Sequence, residues 1–233
     1  MNVEFTRLTI DGYRDQQVPN QFLRQVDATT TLAVLLPGQG YTTDMPLFYY
    51  AEWICLERGW DVLRVDYDYR SLEYEESLDL RRKRLEERKQ QIYSDVEAAF
   101  MVGLQQRDYE TVALIGKSLG TRAMVHILSQ EPKMDVWNVW LTPLIGESEV
   151  REYIEQHPGQ TFVAIGTEDF AYDEAYAGGL SDSGNVEVVV VKGADHSMDI
   201  SGDIAGSIRA MGGVMSRLDA FLPRETTAGM ANA

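Results

Sequence analysis

The chain has a single cysteine, Cys55, in 233 residues, so no intrachain disulfide can brace it. That is the usage of a reducing compartment. Positive charge is also scarce. The 21 Lys and Arg face 37 Asp and Glu, for a net charge of −16. So acidic a surface repels phosphate backbones and anionic lipid, so neither nucleic acid nor a membrane surface is expected as a partner. No apolar run approaches the roughly 18 residues that span a bilayer. Residues 1–10 lack a basic stretch followed by an apolar one, so no secretory signal is expected and the expected location is cytoplasmic. The three histidines are scattered, with no closely spaced ligand pair, so neither a metal nor a cofactor is expected. There is no internal repeat, Pro-rich linker or sharp change of composition. One domain over residues 1–223 is expected, with a small, polar, frayed tail over 224–233.

What is present suffices for one sizeable core: 44% of the residues are hydrophobic. Short strand-like runs alternate with longer helical ones. Residues 3–10 alternate as an exposed antiparallel strand, and residues 22–26 are its expected partner. Residues 32–36, 61–65, 111–115, 136–141, 161–165 and 186–191 read as strands, several continuously apolar, as strands buried on both faces should be. Helices are expected over 45–58, 78–106, 119–130, 147–156 and 203–221, the last weakened by Gly206, Gly212 and Gly213. The pattern is α/β: a mostly parallel sheet with helices on both faces and an antiparallel N-terminal strand pair. Chemistry in such sheets sits at the C-terminal ends of the strands.

There, residues 111–115 run into Gly116-Lys117-Ser118-Leu119-Gly120, a G-x-S-x-G pattern. On a tight strand-to-helix turn the serine is forced into a strained conformation, and side chains two positions to either side would collide, so glycine is needed. The hydroxyl then stands clear of the sheet, at the N-terminus of the next helix. The plainer reading makes Ser118 a helix cap. A phosphate-binding loop would need glycine five positions before Gly116, where Thr111 stands, and is rejected.

A serine nucleophile needs a base. His126 falls inside the following helix, and His157 in an exposed helix-ending turn. His196 directly follows the last strand, at the functional edge, and is the candidate base. The orienting acid should follow strand 161–165; Asp169 is chosen there over Glu168 and Asp173. Asp195 and Asp199 read as loop or cap residues. An oxyanion hole needs two N–H donors, expected from Leu119 and from Gln39 in the glycine-rich loop after strand 32–36. Gly38, Gly40, Tyr41, Lys117, Pro143 and Leu144 are candidate pocket residues.

Taken together, residues 37–40, 116–120, 166–169 and 193–197 make the chain resemble the α/β-hydrolase superfamily from Val3 to Phe221, in the chain order Ser118, Asp169, His196. The resemblance implies an eight-stranded sheet and a serine hydrolase that cleaves an ester or related acyl bond through an acyl-enzyme. The expected partner is a small-molecule acyl substrate. Thioesterase, peptidase and a non-catalytic scaffold used for binding are the alternatives. Pro37, where many members have histidine, and Thr121, where a further small residue is frequent, argue against a narrow subfamily. Residues 142–160 hold little beyond one short helix, so a lid-poor member is expected. The charge-rich stretch 70–91 reads first as a solvated helix face. Tyr67, Tyr69 and Tyr74 are candidates for the pocket mouth, and Cys55 is a candidate core residue.

Overall fold

The computed structural model describes residues 2–67, 78–180 and 184–224. Tyr69 and Tyr74, residues 70–77 of the charge-rich stretch and the tail beyond 224 lie outside those residues.

Eight strands form one sheet: β1 (Val3–Thr6), β2 (Asn20–Gln25), β3 (Thr31–Leu36), β4 (Asp61–Val65), β5 (Thr111–Lys117), β6 (Asp135–Leu141), β7 (Thr161–Gly166) and β8 (Val186–Val191). Their order is β1-β2-β4-β3-β5-β6-β7-β8. β1 and β2 pair antiparallel, β2 is antiparallel to β4, and the pairs from β4 through β8 are parallel. Every residue of β3, inside the sheet, and of β7, covered on its outer side by the edge strand β8, is buried. Fully burying one such Leu or Phe side chain stabilises the fold by about 1.5–3 kcal/mol.

Among the described residues six α-helices cover the two faces: α1 (Pro46–Glu57), α2 (Leu78–Leu104), α3 (Leu119–Leu128), α4 (Ser148–Gln156), α5 (Glu174–Leu180) and α6 (Ile204–Phe221). One core layer gathers Phe48, Cys55, Ala113, Ile115, Met215 and Leu218, joining α1 and α6 to the sheet. The opposite layer gathers Val96, Leu114, Met124, Trp140, Ile154 and Leu180, from α2, α3, α4 and α5. Cys55 is fully buried, in keeping with a core role.

The chain leaves β3 toward β4 on one side, then crosses through α2 to β5 on the other. The loops after β3 and β5 therefore diverge from neighbouring strand ends. Such a switch in strand order opens a crevice at the C-terminal edge of a parallel sheet.

Three details differ from the sequence expectation. The first strand stops at Thr6, because the Asn20 side chain replaces the ladder: Leu8 N–H donates to Asn20 Oδ1 at 2.9 Å, and Asn20 Nδ2 donates back to Leu8 O at 2.8 Å. Helix α5 was not expected. It starts where Asp173 Oδ1 accepts the Tyr176 N–H at 3.0 Å, a cap that outweighs Gly178 and Gly179. Helix α6 runs unbroken past its glycines because Asp203 Oδ1 accepts the Gly206 N–H at 2.8 Å and one face buries Met211, Val214, Met215 and Leu218.

Candidate functional site

Strand β5 delivers Ser118 onto the turn into α3 with φ 50° and ψ −113°, a conformation that L-residues rarely hold. Strain of this kind costs about 1–3 kcal/mol and persists only where the surroundings enforce it. Packing shows what enforces it. A Cβ on Gly120 would sit 1.8 Å from Leu36 O, and one on Gly116 would sit 2.4 Å from Met124 Sδ and 2.9 Å from Gly120 O. Only glycines let the turn press against β3 and its own helix. Ser118 occupies the N-cap place of α3, yet its side chain makes no capping hydrogen bond. The turn is held instead by Thr121 Oγ1, which donates to Ser118 O at 2.5 Å, and by Ser118 N–H, which donates to Leu141 O at 3.2 Å. The hydroxyl is thus not spent on capping.

The loop after β3 lies against this turn. A Cβ on Gly38 would come within 3.2 Å of both Ser118 Cβ and Lys117 O. Tyr67 Oη donates to Pro37 O at 3.0 Å and fixes the loop from below, so this buried tyrosine supports the loop. Gln39 and Gly40 are exposed, Gly40 at φ 72°. Among the described residues, no carbonyl outside the regular elements takes the N–H of Gln39 or of Leu119.

The loops after β7 and β8 are docked together. Glu168 N–H donates to Ala194 O at 2.9 Å, Gly193 N–H donates to Thr167 Oγ1 at 2.9 Å, and a Cβ on Gly166 would collide with Ala194 O at 2.0 Å. This docking brings His196 Nδ1 to 2.8 Å from Asp169 Oδ2. The Asp169 side chain is 0% exposed and that of His196 is 25% exposed. Asp169 Oδ1 accepts the Ala171 N–H at 2.8 Å. With the carboxylate ionised, the imidazole proton belongs on Nδ1, which leaves Nε2 with its lone pair as the basic atom.

The rival carboxylates are engaged elsewhere or point to solvent. Asp173 pairs with Arg151 at 2.7 Å, Glu168 is exposed, and Asp195 Oδ1 accepts the N–H groups of Ser197 and Asp199. His126 stacks on Tyr93 and faces Glu97 at 3.1 Å. His157 is half-buried rather than exposed; its Nδ1 accepts the Gly159 N–H at 3.1 Å and lies 3.0 Å from Asn138 Nδ2.

Of the expected pocket residues, Lys117 and Tyr41 are buried and meet each other, the ammonium lying 4.3 Å from the ring centroid. Burial brings the lysine down to about 8, against the pull of Asp169 and Asp195, and pushes the tyrosine up to about 12. Pro143 is buried and Leu144 half-buried, after β6. Among the described residues no cluster of ligating side chains could hold a metal ion.

Three residues were missed. Phe170 is 77% exposed, and its ring centroid lies 4.5 Å from that of His196. Its place directly after Asp169 was the available signal. Thr142 and Met198 hold φ of 42° and 66° at the ends of β6 and of the histidine loop, and nothing in their residue types announces it.

A groove of about 700 Å³ between the ends of α3 and α4, lined among others by Pro132, Tyr153 and Pro158, lies at the opposite edge of the sheet. It is remote from this geometry.

Residues 29–207 match the family model described as an alpha/beta hydrolase domain, and the chain belongs to that family. No curated protein matches it in sequence. Among solved structures, it is similar to an esterase from Pyrococcus furiosus: TM-score 0.66, 15% identity, 94% of this chain and 92% of that one covered. An α/β serine hydrolase without lid from Xanthomonas campestris gives TM-score 0.63 at 17% identity, covering 97% of each chain. An α/β serine hydrolase homologue from Coxiella burnetii gives 0.59 at 14% identity, covering 87% of this chain and 95% of that one. At these identities the likeness is one of fold.

Proposed function

We propose that the protein is a serine hydrolase that cleaves an ester or related acyl bond of a small to medium substrate. The observation that carries this reading is the buried Asp169 carboxylate held 2.8 Å from His196 Nδ1, at the same sheet edge as a serine whose hydroxyl caps nothing. Ser118 Oγ attacks the acyl carbon while His196 Nε2 takes its proton. Asp169 keeps the ring in the right tautomer and stabilises the imidazolium. The N–H groups of Gln39 and Leu119 receive the developing oxyanion, each contributing about 3–4 kcal/mol. The imidazolium returns its proton to the leaving group, and water, activated by the same histidine, frees the acyl group from Ser118.

The segment between β6 and β7 carries only α4, which supports a substrate approached without a large cap there. The esterase and lid-free serine hydrolase among the structural neighbours are compatible with this chemistry. A fluorophosphonate probe tests the reading. Labelling of the wild type that disappears in Ser118→Ala is the expected outcome. A folded wild type that takes no label would overturn it and favour a binding scaffold. A series of chromogenic esters and thioesters graded by acyl length then separates esterase from thioesterase.

A further inference from the structure

Strand β8 ends one side of the sheet, and its outer edge has no neighbouring strand among the described residues. Thr161 N–H donates to Asn185 O at 3.1 Å and Thr167 N–H donates to Val191 O at 3.0 Å, so the odd-numbered residues here turn their backbone toward β7. Backbone direction alternates along a strand. Val186, Val188 and Val190 therefore point their N–H and C=O groups outward. Among the described residues none of these groups has a protein partner.

The strand lacks the devices that blunt an edge. β1, on the other side of the sheet, is four residues long and carries Glu4 in the middle of its exposed run. β8 has six residues, five of them valine, with no proline, glycine or lysine. Val188, Val189 and Val191 are half-buried and Val190 is 42% exposed. The one charge, Glu187, is held by Arg217 at 2.7 Å. A regular, apolar, unguarded edge is a template for another strand.

The occupant that fits is a second copy of the same strand. Laid antiparallel about a two-fold axis at Val188, each β8 sets Val188 opposite Val188, and Val186 opposite Val190, of the second copy. The outward N–H and C=O groups of the two copies then satisfy one another with none left unpaired. Glu187 falls opposite Val189 and not opposite its own counterpart, so no like charges face each other directly. Overall charge narrows the choice of place. Two chains of net charge −16 repel wherever their acids meet, and on β8 the single acid already holds an arginine.

We propose that the protein is a homodimer in which two β8 strands pair antiparallel and join the two eight-stranded sheets into one. The C-terminal edges of the two sheets then face opposite directions, and each site opens on its own side. The pairing does not depend on which reaction that site performs.

Sedimentation velocity over a concentration series reads the mass, and amide hydrogen exchange reads the edge. The wild type should sediment at twice the mass of one chain. Val190→Lys, at an exposed position, should weaken the dimer about tenfold or more. The Val186 and Val188 amides should exchange at least about tenfold more slowly in the wild type than in that variant.

Val188→Cys reads the register, and covers the case in which Val190→Lys does not fold. Residues opposed in a hydrogen-bonded antiparallel pair have Cα atoms about 5.5 Å apart, within reach of a disulfide. Mild oxidation should link Val188→Cys into a covalent dimer, whereas Val190→Cys, which faces Val186 of the second copy, should stay unlinked. Cys55 is buried and does not compete. A wild type that is still monomeric at about 100 µM overturns the proposal and leaves the edge to an extended segment of a different protein. A dimer whose Val186 and Val188 amides exchange freely overturns it too, as does linking of Val190→Cys in place of Val188→Cys.

Discussion

At the scale of single residues, the aromatic side chain beside the histidine has the most to say about specificity. Phe170 keeps 77% of its surface in water although it packs on His196. An exposed ring at the edge of a reacting centre is a contact surface for an apolar leaving group. Phe170→Ala should raise KM for esters of long or aromatic alcohols by about threefold to tenfold, and leave methyl esters within about twofold. Steady-state kinetics on a leaving-group series checks this, and equal loss across the series would refute it. His157 gives a second prediction, in stability. Its Nδ1 accepts N–H donors, and burial lowers its affinity for protons. The unfolded chain, titrating near the ordinary value of 6.5, therefore binds the proton first as pH falls. Stability is complete above that value and is lost as pH drops through it toward the lower folded value. His157→Gln should show a smaller fall in melting temperature between pH 7.5 and 5 than the wild type, because carboxylate contributions are common to both. Ser118, Asp169 and His196 were legible as candidates because each follows an apolar strand in a fixed chain order. Phe170 and Thr142 were not, because a ring packed on a histidine and a backbone held at positive φ arise only from three-dimensional packing.

At the scale of elements, glycines divide into those that the site requires and those that it tolerates. Gly120 lets α3 touch β3, where an added Cβ would meet the backbone carbonyl of Leu36 at 1.8 Å. Backbone cannot step aside cheaply, so Gly120→Ala should destabilise by about 3 kcal/mol or more and distort the turn that holds Ser118. Gly212 and Gly213, inside α6, have open space where a side chain would go. Gly212→Ala should stabilise by about 0.5–1 kcal/mol, through helix propensity and a less free unfolded chain. Urea midpoints for the two variants decide it, and the signs should be opposite. The same contrast explains what the sequence could reveal of the architecture. The eight strands expected, one from residue 3 and seven from residue 22 onward, appeared where they were expected, together with the glycine-bearing α6. Helix α5 was hidden because its start depends on the Asp173 cap and its packing on Tyr176 and Leu180, while its two glycines argue against it locally. The early end of β1 was hidden because one asparagine side chain, twelve residues away, takes over its hydrogen bonds.

At the scale of the whole molecule, the net charge of −16 sets a field that any charged substrate must cross. No described helix is long and apolar enough to cross a membrane. Lys117, at the C-terminal end of β5, is buried and its charge is drawn on by the Asp169 and Asp195 carboxylates, so it does not reverse the field for an incoming ligand. A substrate with a carboxylate or phosphate remote from its acyl bond should therefore be repelled at low salt. Raising ionic strength from 10 to 150 mM shrinks the screening length from about 30 Å to about 8 Å. Across that range kcat/KM for such an anionic ester should rise by about twofold to tenfold, that of a neutral ester of the same size should stay level, and that of a cationic one should fall. The change should appear in kcat/KM with kcat nearly constant, because the field acts on encounter and not on the proposed proton transfer from Ser118 to His196. An anionic ester that is favoured at low salt would show instead that exposed cations near the pocket outweigh the overall charge.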